Sequence, residues 1–433
     1  MTKEQMAALE PGLKEYLEAF RVCFRKQVTF DYLGIYTLGL MSDCPRKSVE
    51  PIALAAEVPV RTLQEFLSSF RWDHSRADAL MRRQVADRPG PPGIGILDAS
   101  GHAKQGDKTP GVKRQWCGET GRIDNCVVGQ HLLYTDNDPS NPFGCIICSD
   151  LFLPQEWADD PERCREAGIP DEVAYRPKWE MAIDQVRLAI GDGVRFSYLI
   201  FDEEYGSTPG FWRRLDGLGQ LGIGEVRANF DCWVTPPAYH SARAEHAPRE
   251  VQHLYRHSPV FYRQNWQEAI VKETTRGKSR WRYKAARVQI TDTSQGHNVP
   301  SDRRYWLIVA ESLETGEIKY FLSNAPASTA VIKLLQVAFC RWHIEKWFER
   351  AKQETGFGAF EVRTYEGLIR HWLCSRMAMY FLAASTRQLR EKKSADHAGA
   401  GLPGGQHAGR ESLADLPALL GGDHAAERVL SVA

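Results

Sequence analysis

Along the first ninety residues apolar positions recur at three- and four-residue steps, as at Leu13, Leu17, Phe20 and Phe24, which places them on one helical face. A helical module over residues 1–90 follows. Within it, Ile52 to Glu57 and Thr62 to Ser69 form two short helical patterns joined by Val58, Pro59 and Val60, and Pro59 stops the first. The pair fits a helix-turn-helix, with Arg61, Thr62 and Gln64 where side chains reach base edges. It fits an ordinary helical pair equally well. Arg88, Pro89, Gly90, Pro91, Pro92 and Gly93 then read as a linker.

Past the linker the period changes. Ile94 to Leu97 is a short apolar strand ending on Asp98, Asn125 to Tyr134 alternates or runs apolar as a strand does, and Asp136 to Asn141 is turn chemistry. Trp179, Ile183, Val186 and Ile190 mark one helical face, and Gly191 to Gly193 ends that helix before the strand Val194 to Phe201, which stops on Asp202. From about Glu225 to Asn324 short β runs dominate, among them Trp306 to Ala310 and Lys319 to Leu322. A helical region resumes at Ala330 and runs to about Arg390, with interruptions near Gly356 and Gly367. The pattern predicts an α/β chain: the helical module, a mixed core over 91–221, a β-rich stretch over 222–329, core helices over 330–390, and a tail over 391–433 rich in Ala, Gly and His.

Composition narrows the class without naming a partner. Hydrophobic residues are 43% and charged residues 25%, so wholesale disorder is excluded. Fifty-five basic residues balance 55 acidic ones, so evidence for a polyanionic partner must be local. The apolar stretch Leu368 to Ala384 is broken by Arg370, His371 and Arg376 and falls short of the roughly 20 apolar residues of a membrane span. Met1, Thr2, Lys3 and Glu4 open no apolar signal core, which predicts a cytoplasmic chain. The ten scattered cysteines read as free thiols, and the Cys145–Cys148 pair lacks the second pair that a zinc site needs.

Asp98 and Asp202 each follow an apolar strand, where a carboxylate can be exposed while the sheet fixes its backbone. Either could instead be a turn or cap residue. Further on, Arg341, Glu345, Phe348 and Lys352 fall along one stripe of a helix. One carboxylate between two cations, beside two strand-end aspartates, suits phosphodiester chemistry: carboxylates hold Mg²⁺ and cations hold phosphate. A surface ion pair between Arg341 and Glu345 is the bland alternative, and it would contribute little.

These residues carry a resemblance. The run from Asp98 through Ser100, Gly101, His102 and Lys104 to Gly106 resembles the first-aspartate block of bacterial insertion-sequence transposases of the DDE class, in the family numbered seven-zero-one. Gly111 to Gly118 with Gly121 and Asp124 to Cys126, then Leu153 to Trp157, are similar to further blocks, and Asp202 to Gly206 resembles the second-aspartate block. Arg341, Glu345 and Lys352 match the Arg, Glu and Lys of a Tyr-Arg-Glu-Lys signature used by related transposases, with Ala338 in the place of Tyr and Phe339 beside it. The likeness covers about Gly93 to Ala384.

The resemblance implies an RNase H-like catalytic core interrupted by a β-rich insertion domain. Asp98, Asp202 and Glu345 would be both catalytic and metal-binding, holding two Mg²⁺ ions with Mn²⁺ as a substitute. The implied activity is transposition: hydrolytic nicking at transposon ends, then attack of the freed 3′-hydroxyl on target DNA. The partners would be terminal inverted repeats, target DNA and a second copy of the chain, in a nucleoid-associated setting. Two rivals stay open: a transposase-derived DNA-binding protein without cleavage, and a phosphatase using Asp98, for which Ser100 stands where a second Asp is expected.

The insertion carries the densest local charge. Lys272, Arg276, Lys278, Arg280, Arg282, Lys284 and Arg287 face a single acid, Glu273, while Trp281 and Tyr283 alternate with the cations. On a strand this separates cations from aromatics. Either Lys278, Arg280, Arg282 and Lys284 bind phosphates while Trp281 stacks on unpaired bases, or the aromatics belong to the core beneath a solvated basic face. Lys104, Arg341, Lys352 and Arg61 complete the candidate DNA contacts.

Overall fold

A computed structural model of the chain describes residues 3–399 apart from 238, 241–242, 245, 275–276 and 293–298. Side chains are described from Leu9 onward, except at 239–240, 243–244, 272–274, 277–278, 342–343 and 392–399. The N-terminal module is helical as the periodicity predicts: α1 (Lys3–Glu18), α2 (Gln27–Met41), α3 (Val49–Ala55), α4 (Val60–Ser68) and α5 (His74–Ala86). Pro59 stands at the N-cap of α4, where its missing N–H costs nothing.

The centre is one mixed sheet. Its main strands are β1 (Gly93–Ala103), β2 (Lys113–Cys117), β3 (Arg122–Thr135), β4 (Gly144–Leu151), β5 (Phe196–Phe201) and β6 (Gly222–Val226). They continue with β7 (Gln267–Thr274), β8 (Gly277–Asp292), β9 (Tyr305–Ser312) and β10 (Ile318–Ser323). From one side the order runs β8, β9, β10, β6, β5, β1, β3, β2, with β7 on β8 and β4 on β3. Only β5 is parallel to both neighbours, β1 and β6, while the flanking pairs are antiparallel. The strands after Gly222 therefore extend the sheet that carries Asp98 and Asp202, joined through the β6–β10 and β5–β6 pairings.

Helices cover the sheet: α6 (Lys178–Gly191), the single turn α7 (Glu203–Gly206), α8 (Val331–Ala338), α9 (Trp342–Thr355) and α10 (Tyr365–Gly399). Gly356 ends α9 in the left-handed conformation, φ +60°, which glycine adopts without a Cβ clash. The expected tail begins within α10, which runs past Arg390, and residues 400–433 lie outside the described residues.

From Leu368 to Ala383 α10 is largely apolar and buried, packed against β4 and α2. The charges that interrupt it find partners in place. Arg370 donates to the carbonyls of Phe66 and Leu67 and pairs with Glu366, Arg376 donates to the Ile147 carbonyl and pairs with Asp78, and His371 lies between Tyr36 Oη (2.8 Å) and the Gly356 carbonyl (3.0 Å). These bonds tie the N-terminal helices to the C-terminal one, and both share one apolar core with the sheet. No helix among the described residues is long and apolar enough to cross a membrane.

Candidate active site

β1 does not stop at Asp98, as its apolar run suggests, but continues to Ala103 with Asp98 opposite His131 of β3. The strand-end character comes from the other neighbour. Pairing between β1 and β5 ends at Ile96 and Ile200, and β5 itself ends at Phe201. Asp98 and Asp202 thus lie just past the last shared rung, where the two parallel strands part. Such a break in an α/β sheet is where reactive groups collect.

Asp202 also caps α7, its carboxylate accepting from the Glu204 N–H at 2.9 Å. The two acids that crowd it in sequence turn elsewhere: Glu204 pairs with Lys178 at 2.8 Å and Glu203 faces Arg227 at 3.8 Å. Gly206 closes the turn, because a Cβ there would meet the Glu225 carbonyl oxygen at 2.1 Å. Tyr205 is fully buried and donates from Oη to Gln130 Oε1 at 2.5 Å, which anchors the turn to β3.

α9 supplies the third element. Arg341, at its N-cap, donates to Asp98 Oδ2 at 3.0 Å, and Lys352, near its C-terminus, donates to the Gly101 carbonyl at 3.3 Å. The helical stripe thus lies along β1, and Phe348 is buried. Glu345 is exposed and lines a cleft of about 160 Å³ together with Arg341, Glu225, Lys319, Phe339 and Ala338.

The electrostatics of this notch are set first by burial and then by Arg341. Burial, reinforced by the nearby Asp202 and opposed by Arg341, pushes the Asp98 carboxyl up to about 7. Burial likewise raises Asp202, again against Arg341. Burial disfavours the Arg341 guanidinium, yet Asp98, Asp202, Glu345 and Glu225 around it raise its pKa overall. Among the described residues no group of three His, Cys, Asp or Glu side chains forms a ready-made metal cage. Arg341 stands among the acids instead.

The chain matches the family described as DDE superfamily endonuclease over residues 19–293. It belongs to that family. It is 24% identical over 358 residues to a probable transposase for insertion sequence element IS701 from Microchaete diplosiphon, covering 81% of this chain and 82% of the relative. Among solved structures, a cryo-EM structure of the piggyBac transposase synaptic complex with hairpin DNA aligns with a TM-score of 0.42 and 10% identity, over 96% of this chain and 77% of that one. The family match spans Asp98 and Asp202 and ends before Glu345.

The other candidate contacts of this DDE-family chain fare differently. Trp281 and Tyr283 are buried, 5% and 6% exposed, and the Trp281 ring packs 4.7 Å from Phe339. They belong to the core, so base stacking on Trp281 is corrected: one face of β8 is covered by the chain's own apolar residues. Lys284 is corrected as a phosphate contact for the same reason. Its ammonium is buried, donates to the Phe261 carbonyl at 2.9 Å and lies over the Trp266 ring. Arg280 is exposed and paired with Glu268 at 2.7 Å, and Arg282 is half-buried and paired with Glu311 at 2.7 Å. The side chains of Lys272 and Lys278, and Arg276 as a whole, lie outside the described residues.

Lys104 donates to the Gly358 carbonyl at 2.8 Å over the Phe360 ring, and burial brings its ammonium down to about 8. Arg61 is 86% exposed at the start of α4 and pairs with Glu65 one turn on. Its helix buries Leu63, Phe66 and Leu67, so the outer face with Arg61 and Gln64 meets solvent. Cys145 and Cys148 are buried free thiols.

Sequence reasoning missed Glu225, Lys319 and Gln130. Glu225 sits one residue past the last β5–β6 rung pairing Phe201 with Gly224, and is held by Lys319 at 3.0 Å. No local pattern marks these three. They become visible only once strand register is known.

Proposed function

We propose that the chain is a DNA transposase that cuts transposon ends and joins the freed 3′-hydroxyl to target DNA, working as a homodimer that brings two ends together. The observation that carries this reading is the Arg341–Asp98 ion pair at the parting of β1 and β5, with Asp202 beside it. Strand ends and a distant helix converge there on one small notch.

In this reading Asp98, Asp202 and Glu345 hold divalent metal, Mg²⁺ with Mn²⁺ as a substitute. The donors fit in kind, since all are carboxylate oxygens, and burial, the chief cause of the raised pKa of Asp98 and Asp202, disfavours leaving them charged without a cation. Two such ions, when bound, would activate a water and stabilise the leaving oxygen. The chain's own residues do the positioning. The sheet fixes the backbone of Asp98, the Glu204 N–H and the Tyr205 anchor fix Asp202, and Arg341 exchanges Asp98 for a phosphate oxygen as DNA enters. Lys352 holds the far end of α9 against β1.

A second reading, a transposase-derived DNA-binding protein that does not cut, draws on the lack of a preformed three-acid cluster among the described residues. A Mg²⁺-dependent strand-cleavage assay on a plasmid carrying the element's terminal repeats separates the two. Cleavage by the wild type that Asp98→Asn abolishes supports the enzyme. DNA binding with no cleavage at any divalent metal concentration supports the second reading.

A further inference from the structure

β2 and β3 form a hairpin at the free edge of the sheet, closed by the turn Gly118–Gly121. Its two faces differ. Cys117 is buried with Cys126 and Val128 in a small apolar cluster of their own. On the opposite face Trp116 is 64% exposed and Ile123, its cross-strand partner, is 59% exposed. Edge strands usually carry charges rather than large apolar side chains, because a bare apolar edge invites aggregation. An exposed Trp–Ile pair held out by a separate core calls for a partner.

The charge on that face selects the partner. Arg114 shares the face two residues before Trp116, is exposed, and has no acidic partner among the described residues. The residue opposite Arg114 is the neutral Asn125, whose amide donates to the Lys104 and Gly106 carbonyls and so ties the hairpin to the end of β1. That strand carries Asp98, and Lys104 and the Lys352 contact at Gly101 lie between. A flat aromatic surface beside an unpaired guanidinium, with no carboxylate on its face, suits a nucleobase and its phosphate.

We infer that the β2–β3 hairpin is a DNA wedge, with Trp116 stacking on an unpaired base and Arg114 on the adjoining phosphate, eight strand positions along β3 from the Asp98 rung. The inference rests on the proposed action on DNA and adds to it the residues that read distorted ends. It is tested by fluorescence anisotropy in EDTA with a labelled duplex and the same duplex unpaired at one end, so that binding is measured without chemistry.

The wild type binds the frayed duplex more tightly, by a factor of about 5 to 150, the range that stacking of one base on an aromatic ring supplies. Trp116→Ala loses that preference while its affinity for the intact duplex stays within about twofold, and Trp116→Phe keeps most of it. The inference is overturned if the wild type shows no preference, or if Trp116→Ala retains it. It is also overturned if sedimentation of the DNA-free protein shows that Trp116→Ala dissociates a dimer, since the hairpin then seats a second copy. Failure of the wild type to bind either duplex would sink the proposed function itself, whereas equal binding of both by wild type and variant sinks only the wedge.

Discussion

The two halves of the sheet treat charge in opposite ways. Around β5, β1 and β3 ionisable groups are drawn inward: Asp98 and Asp202 are raised by burial, His102 and His131 are fully buried, and Arg341 is the cation set among the acids. Around β8 and β9 the longest cations are spent on local partners, Arg280 on Glu268 and Arg282 on Glu311, above a core of Trp281 and Tyr283. The first half buries ionisable groups and pushes them toward their neutral forms, and the second pairs its cations on an outer face. Charge density in sequence is thus a poor guide to a site. Charge set against burial is a better one.

Asp98→Asn is the strongest way to break this contrast. It keeps the shape and a hydrogen-bond acceptor for Arg341 but removes one carboxylate from the notch, and we expect cleavage to fall on the order of 10³-fold or more with DNA binding nearly unchanged. Plasmid nicking and anisotropy, run on the same preparation, check both halves. Nicking at wild-type rate would remove Asp98 from the chemistry.

Trp281→Ala tests the other half. A buried Trp packed on Phe339 should cost about 3–5 kcal/mol of unfolding free energy in urea titration. A DNA-stacking Trp would instead leave stability alone and weaken binding.

What was legible in the sequence follows from how each feature is encoded. Asp98 and Asp202 were visible because apolar runs end where they stand, although β1 continues to Ala103 as a strand whose polar residues pair with β3. The stripe of Arg341, Glu345 and Lys352 was visible because helical geometry alone fixes it, and Arg341 and Lys352 do reach β1. The alternation along β8 was equally clear, but alternation does not say which face is covered, and Phe339, just past α8, packs on the Trp281 side. Glu225 and Lys319 had no pattern at all, since only the β5–β6 and β6–β10 registers bring them to the notch. The sharing of one core by α1–α5 and α10 was likewise hidden, because contacts such as Tyr36 with His371 join residues at opposite ends of the chain.

His371 sharpens the contrast through pH. Burial lowers its pKa to about 3, and the neutral ring accepts from Tyr36 and donates to the Gly356 carbonyl. A depressed pKa means that the unfolded chain takes up the proton first, so the histidine's contribution is whole above its unfolded pKa of about 6.5 and is lost as pH falls toward about 3. His371→Gln should therefore be less stable than wild type by about 1–3 kcal/mol at pH 7. The gap should narrow by up to about 1.4 kcal/mol for each pH unit below 6.5. A gap that stays constant from pH 7 to pH 5.5 in urea titrations would mean that the ring titrates normally and the burial argument is wrong.

The smallest effect is expected on the exposed face of β8. Arg280 is 58% exposed and its pair with Glu268 is open to solvent, so Arg280→Ala should change stability by less than about 1 kcal/mol. Arg282 differs: its guanidinium lies over the Trp266 ring and its Nε is buried without a partner, so Arg282→Ala removes packing as well as charge and should cost more. If this face carries DNA, losing Arg280 should reduce the slope of log affinity against log salt by about one. If its cations serve only their own acids, the slope stays at the wild-type value, because freeing Glu268 adds a repulsion without removing a phosphate contact. Measuring the slope with duplex DNA between low and moderate salt separates the two, and doing so in Arg280→Ala rather than Arg282→Ala keeps folding out of the answer.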